Sequence, residues 1–297
     1  MAILPTMSAE ASSTPPGNLL KGALRRARRL TPGAYQESKY AAGWGTAREI
    51  APNCGLRLPA SGLTSSAIGQ TVYSRTTMSL HVKGLWHYPV KTLAGVPLQT
   101  AELTPTGIPG DRIVHVRGPE GVRTSRRHHL LLGLKGTIGP DGQPLVNDHP
   151  WQSEEALTLV RKAAGSDAWL EAGDDLERFD VLPLLVATDG AVATFGRDVR
   201  RLRPNILIGG VAGMDEVHWP GGELHIGDAV VRLDSLRGRC PMTTVDPDTL
   251  ERDPEVLRDI GRRFGGRLAL NAEVLRPGTI RVGDPARLVL EPRASRS

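Results

Sequence analysis

The 297-residue chain has only two cysteines, Cys54 and Cys240. That scarcity excludes a disulfide framework and any structural zinc site built from several thiolates, and it fits a reducing, cytoplasmic compartment. Aromatic residues make up 4%. Few rings are available for base stacking, and no motif of the common nucleic-acid-binding modules is visible. No apolar run approaches the ~18 residues that suggest a membrane-spanning helix. A nucleophile elbow, a Walker loop, a dinucleotide glycine fingerprint and a zinc-protease helix are also missing.

The chain does have a net charge of +5, which would normally direct attention to polyanionic partners. The distribution argues otherwise. Residues 1–77 carry 9 Lys/Arg against 3 Asp/Glu, whereas the remaining 220 carry 28 against 29. The basicity belongs to the N-terminal segment, which opens Ser/Thr/Pro-rich, continues as LLKGALRRARRL and shows no sustained period of 2 or 3.6. Three readings compete for it: an Arg-rich transit peptide, a poorly ordered basic arm, or a start assigned too far upstream, with Met78 as the true start. The third is favoured, because MSLHVKGLWHYPV opens directly as a strand. Cys54 falls in this segment and is expected to be inert.

From Leu80 the pattern is β-rich. LHVKGLWHYPV alternates up to Pro89, and DRIVHVRGPEGVRTS reads as strand, turn and strand. A helix is predicted over SEEALTLVRKAAG, capped by Ser153, acidic in its first turn and closed by Gly165, with Leu157 and Val160 facing the core. LPLLVATDGAV is an apolar strand that runs into a Thr-Asp-Gly cap and a short helix. NILIGG, GELHIGDAVVRLD, GRLALNAEVL and GTIRVGDPARLVL are further strands with Gly-Asp turns. Asp253 and Pro254 start a helix whose Val256, Leu257, Ile260 and Phe264 share one face. The sum is an α+β, β-rich chain suggestive of barrels, with a junction near EAGDDLERFD.

Cys240 is the chemical candidate. It lies between Arg237 with Gly238 and Arg239 on one side and Pro241 on the other, in a shaped loop, and flanking cations favour a thiolate. Local composition alone favours an inert buried thiol. Arg203-Pro204-Asn205 closes a run with arginines at 197, 200, 201 and 203, which reads either as an anion clamp or as a solvated basic turn. Lys91 and Thr92 end one strand, and Asp111-Arg112 precede another after Gly107 and Gly110. His115, His128 and His129 lack a third ligand at a telling spacing for a metal.

Taken in order, LWHYPVKTLAG, GIPGDR, FDVLPLLVATDGAV, RLRPNILI, RCPMTTVDPDT and PGTIRVGDPARL resemble the MOSC family, named for the C-terminal domain of molybdenum cofactor sulfurase. The likeness runs from Leu80 to about Leu290 and is to the two-domain type of the amidoxime-reducing components. It implies an N-terminal MOSC β-barrel-like domain over 78–178, packed with a MOSC β-barrel domain over 179–297. It implies a molybdenum–molybdopterin cofactor, with Cys240 as molybdenum ligand and catalytic residue. Lys91, Thr92, Arg112, Thr188, Asp189, Arg203 and Asn205 would contact the cofactor, and Gly238 and Arg239 would line it through backbone groups. At family level pyridoxal phosphate binding is also implied. The implied activity is reduction of N-hydroxylated small molecules. With one cysteine in the body there is no thiolate set for an iron–sulfur cluster, so electrons are expected from a separate reductase or ferredoxin. The rival from the same resemblance is a cofactor or sulfur carrier working through a Cys240 persulfide.

Overall fold

The computed structural model describes residues 79–173 and 178–290, all within one compact unit that spans Thr71–Ser297. The expectations placed on residues 1–78, Cys54 included, lie outside the described residues.

Sixteen strands and three α-helices are described. The first nine strands are β1 (His81–His87), β2 (Val96–Leu98), β3 (Thr100–Leu103), β4 (Val114–Gly118), β5 (Gly121–Val122), β6 (Gly136–Ile138), β7 (Pro144–Val146), β8 (His149–Pro150) and β9 (Trp169–Ala172). The others are β10 (Leu184–Thr188), β11 (Ile206–Gly209), β12 (Glu223–Ile226), β13 (Ala229–Gly238), β14 (Arg267–Arg276), β15 (Gly278–Arg281) and β16 (Ala286–Val289). The helices are α1 (Glu154–Ala164), α2 (Asp189–Phe195) and α3 (Pro254–Phe264).

An eight-stranded sheet of order β16-β12-β13-β14-β10-β11-β1-β2 forms the centre. It is mostly antiparallel, the pair β10–β11 being parallel. Its apolar face packs Val82, Leu85, Val186, Ile206, Ile208, Leu224, Val231, Leu233 and Leu270 into one core. The sheet is not closed into a continuous ladder. An isolated bridge, His81 to Pro285, and the bonds Val82 N to Asp284 O and Ala286 N to Leu80 O tie the start of β1 to the segment entering β16. Two three-stranded sheets, β5-β4-β9 and β6-β7-β8, lie in the first half of the sequence. Around them a second core gathers Val90, Leu93, Val114, Val116 and Leu131 under α1. The expected junction near 178 does not separate the sheets. β1 and β2 pair into the central sheet, and β3 pairs with β15.

The helix signals act as the sequence indicates. Ser153 accepts from Ala156 N, Thr188 from Ala191 N and Asp253 from Glu255 N, each capping one helix. In α1 the buried stripe is Ala156, Val160 and Ala164. Leu157, expected to face the core, is half-buried instead: the stripe advances in steps of four, and Leu157 stands about 100° to its side. In α3, Val256 and Ile260 are buried against Phe195, Leu202 and Leu268. Among the described residues no helix is long and apolar enough to cross a membrane.

Ile206 is fully buried where β1, β10 and β11 meet. Ile206→Ala is expected to lower stability by about 3 kcal/mol, and Ser153→Ala by about 1 kcal/mol, both read from denaturant midpoints at unchanged m.

Candidate functional site

The central sheet and the β5-β4-β9 sheet meet where β1 ends. The chain continues from His87 into Tyr88, and Val90 bridges to Val114 at the start of β4. This places Tyr88, Lys91 and Thr92 beside the turn Gly107–Arg112 that leads into β4. Arg112 N donates to Tyr88 O at 2.7 Å, and Tyr88 N donates to Asp111 Oδ1 at 2.7 Å. Gly95 is required nearby, because a Cβ there would clash with the Tyr88 ring.

The carboxylate of Asp111 is completely buried. Besides Tyr88 N it pairs with Arg112 and accepts from Asn205 Nδ2 at 3.3 Å. Asn205 stands just ahead of β11. Its Oδ1 accepts from Leu185 N at 3.2 Å, its backbone N–H donates to Leu185 O, and its carbonyl accepts from Trp86 N. One side chain thus pins the ends of β1, β10 and β11.

Tyr88 is the centre of a cation stack. The guanidinium of Arg203 lies 4.3 Å from its ring centroid and that of Arg112 lies 5.0 Å away. Arg112 and Arg178 also lie over Phe179, at 6.0 Å and 4.8 Å. The phenol donates to Pro204 O at 3.0 Å. Burial pushes the Tyr88 hydroxyl up to about 12, against the pull of Arg203 and Arg112. Burial likewise lowers the Arg203 guanidinium to about 10. Among the described residues the Arg203 guanidinium makes no hydrogen bond or ion pair beside this stacking, while its backbone N–H donates to Arg200 O. Arg239 donates to Leu202 O at 2.8 Å, while its buried Nε has no acceptor. Burial holds its guanidinium down at about 10, with Cys240 pulling upward and Arg237 downward.

Cys240 follows directly. It is a free, half-buried thiol at the N-cap of a 3-10 turn over Pro241–Thr244, and its carbonyl accepts from both the N–H and the hydroxyl of Thr243. Gly238 is exposed, and a Cβ there would meet no protein atom within 4 Å.

A second knot lies beside the stack. Lys91 Nζ (3.2 Å), Arg126 (2.9 Å) and Arg237 (3.0 Å) converge on the carboxylate of Asp180. Burial alone would raise that carboxyl; the three charges outweigh it and hold it at about 2.

The structure therefore brings together Lys91, Arg112, Arg203, Asn205 and Arg239, with Cys240 adjoining. The hydroxyl of Thr92 turns inward, bonded to Ser125 Oγ and accepting from Ser125 N. Thr188 and Asp189 stand at the other end of the β10–β11 pair. Thr188 is in register with Ile208, about 10 Å along the strand from Asn205. Thr188 donates to the buried Glu216, and Asp189 accepts from Gly210 N, Val211 N and Lys83. Three of the seven non-glycine residues with positive φ among the described residues are candidate site residues: Thr92 (81°), Arg112 (56°) and Arg203 (56°). Such backbone costs of order 1–3 kcal/mol each and clusters at functional sites. Tyr88, Asp111, Arg126 and Asp180 are additions to the residues chosen from sequence, and Arg237, read there as a cation flanking the thiol, pairs with Asp180.

The sequence matches the MOSC N-terminal beta barrel domain over residues 79–172 and the MOSC domain over 189–287. The chain belongs to the MOSC family. It is similar to the Homo sapiens protein named mitochondrial amidoxime-reducing component 1, at 25% identity over 79% of this chain and 93% of that protein. The Homo sapiens mitochondrial amidoxime reducing component 2 matches at 26% over 77% and 92%. An Anopheles gambiae protein named molybdenum cofactor sulfurase matches at 37% over 70 residues, which are 24% of this chain and 9% of that protein.

The depressed Asp180 carboxyl sets an acid limb on the stability of this MOSC protein. Its pKa is about 2 when folded and ordinary, about 3.9, when unfolded, so its stabilisation is complete above pH ~4 and lost as pH falls toward 2. Urea unfolding over that range should show a component of the pH slope in the wild type that is missing in Asp180→Asn.

Proposed function

We propose that this MOSC protein binds a molybdenum–pterin cofactor and serves as an oxidoreductase for N-hydroxylated small molecules, with electrons from a separate protein. The observation that supports the reading best is a pair of guanidinium groups that the described residues leave partly unclaimed. Arg203 is held only by stacking on Tyr88, and the Nε of Arg239 is buried without an acceptor. Arg239 immediately precedes the free thiol of Cys240. Leaving buried donors unmade costs roughly 1–3 kcal/mol each, which an anionic ligand would offset.

The residues fit such a group. Lys91, Arg112 and Arg203 would neutralise its phosphate and pterin-side charge, while Asn205 holds Arg112 and Asp111 in place. The thiol of Cys240 is a soft donor suited to molybdenum. Among the described residues no three His, Cys, Asp or Glu side chains gather as a metal cage, so the protein's part in holding the metal would fall to Cys240 alone. When bound, the cofactor supplies two-electron oxygen-atom chemistry; the protein supplies binding, orientation and charge. The 3-10 turn after Cys240 holds its carbonyl, and the basic surroundings would favour anionic partners.

The relatives' names point the same way, since two are amidoxime-reducing components. The short match to a molybdenum cofactor sulfurase favours a second reading, in which Cys240 carries sulfur as a persulfide. Elemental and pterin analysis of protein from a cofactor-making host separates the two. Stoichiometric molybdenum in the wild type, lost in a folded Cys240→Ser variant together with N-hydroxylamine reduction, is the expected result. Molybdenum and activity retained in Cys240→Ser would sink the ligand assignment. Absence of molybdenum with a persulfide on Cys240 would favour sulfur carriage.

A further inference from the structure

Three cations from three separate segments meet at the Asp180 carboxylate. Lys91 follows β1, Arg126 follows β5 and Arg237 lies in β13. Their nitrogens lie 2.9–3.2 Å from it, Lys91 on Oδ1 and both arginines on Oδ2. Two oxygens thus serve three cations, and one oxygen is shared by two guanidinium groups. A terminal phosphate offers three oxygens on a comparable footprint and a greater charge, so it matches the same three donors better than a carboxylate does. Asp180 is also part-exposed, as is Arg126.

The position of Asp180 is fixed by its neighbours. Arg178 donates to Asp111 O at 2.6 Å and to Ile108 O, and Phe179 sits against Arg112 and Arg178. The tripeptide Arg178–Asp180 is therefore fastened to the buried Asp111 hub and to the cation stack while its last side chain neutralises the basic cluster.

We infer that Asp180 is the specificity-determining residue of this cluster, an internal carboxylate that occupies the place of a ligand's terminal phosphate and must be displaced by it. Weak monoanions gain too little to replace a carboxylate already in position. A polyanion that reaches the cluster while also engaging Arg203 and Arg112 gains enough. The cluster thereby screens anions by charge and by reach. This deepens the reading above, because the phosphate of the proposed cofactor is one ligand of this class, but it is tested on the full chain without that cofactor.

The probe is inorganic pyrophosphate, titrated calorimetrically into full-length protein made in a host that lacks the pterin cofactor. Asp180→Asn is expected to bind it about tenfold tighter or more than wild type, the gain of freeing charged donors from an internal partner. Asp180→Glu, which keeps the charge, should stay near wild type. Equal or weaker binding by Asp180→Asn would overturn the proposal and make Asp180 a positioning residue for the three cations. So would absence of binding by both proteins. If Asp180→Asn does not fold, the question passes to wild type labelled with 13C at aspartate: the Asp180 carboxyl resonance should move to that of a solvated aspartate as pyrophosphate binds, and an unmoved resonance at saturation would overturn the proposal. Tighter pyrophosphate binding in a chain that never takes up molybdenum would sink the cofactor reading alone. Molybdenum loading with pyrophosphate affinity unaltered by Asp180→Asn would sink this proposal alone.

Discussion

The buried carboxylate of Asp111 is the constraint on which the site depends. A fully buried anion is costly unless it is paired and hydrogen-bonded. Asp111 meets that requirement through Arg112, Asn205 and the Tyr88 amide, and its backbone carbonyl holds Arg178. Each partner belongs to a different segment. Satisfying one charge therefore fixes the end of β1, the start of β11, the approach to β4 and the strand of chain that carries Asp180. Arg112 and Arg203, both in left-handed backbone, are then turned toward the same aromatic ring.

The gathering of so many cations in a partly dry space has a physical logic. Arg112 opposes the charge on Arg203 and Arg237 that on Arg239, and burial weakens the charged forms of Arg203 and Arg239. Two devices oppose this. The rings of Tyr88 and Phe179 present negative faces to the guanidinium groups, and the carboxylates of Asp111 and Asp180 supply discrete countercharges. Among the described residues the rings and the two carboxylates thus hold the guanidinium groups close together in a partly dry space.

Much of the fold was legible in the sequence because its signals are local. Ser153, Thr188 and Asp253 announce helix starts through side-chain oxygens three residues or fewer from the N–H they accept. The candidate site residues Lys91, Arg112, Arg203, Asn205 and Cys240 could be picked out in the sequence because they lie in short motifs next to strand ends. Arg126 carried no signal, since its partner Asp180 is 54 residues away and a basic triplet reads as a solvated turn. Asp180 and Tyr88 were inside recognised motifs, yet their roles arise only from tertiary convergence. Thr188 and Asp189 illustrate the opposite limit: the end of β10 looked like a ligand loop, but in the parallel β10–β11 pair the polar end of one strand lies away from the Asn205 end of the other. Leu157 fell beside the buried stripe because helical phase is set by the partner surface as well as by the pattern.

The weaving of β1 into the central sheet has a consequence for how the chain divides. Every residue of β11 is buried, and β1 covers its outer edge. Without residues 79–178 that apolar strand would become a bare sheet edge, an invitation to edge-to-edge association between copies. The two sequence domains thus share one central sheet, and recombination at the junction would trade a protected strand for an exposed edge.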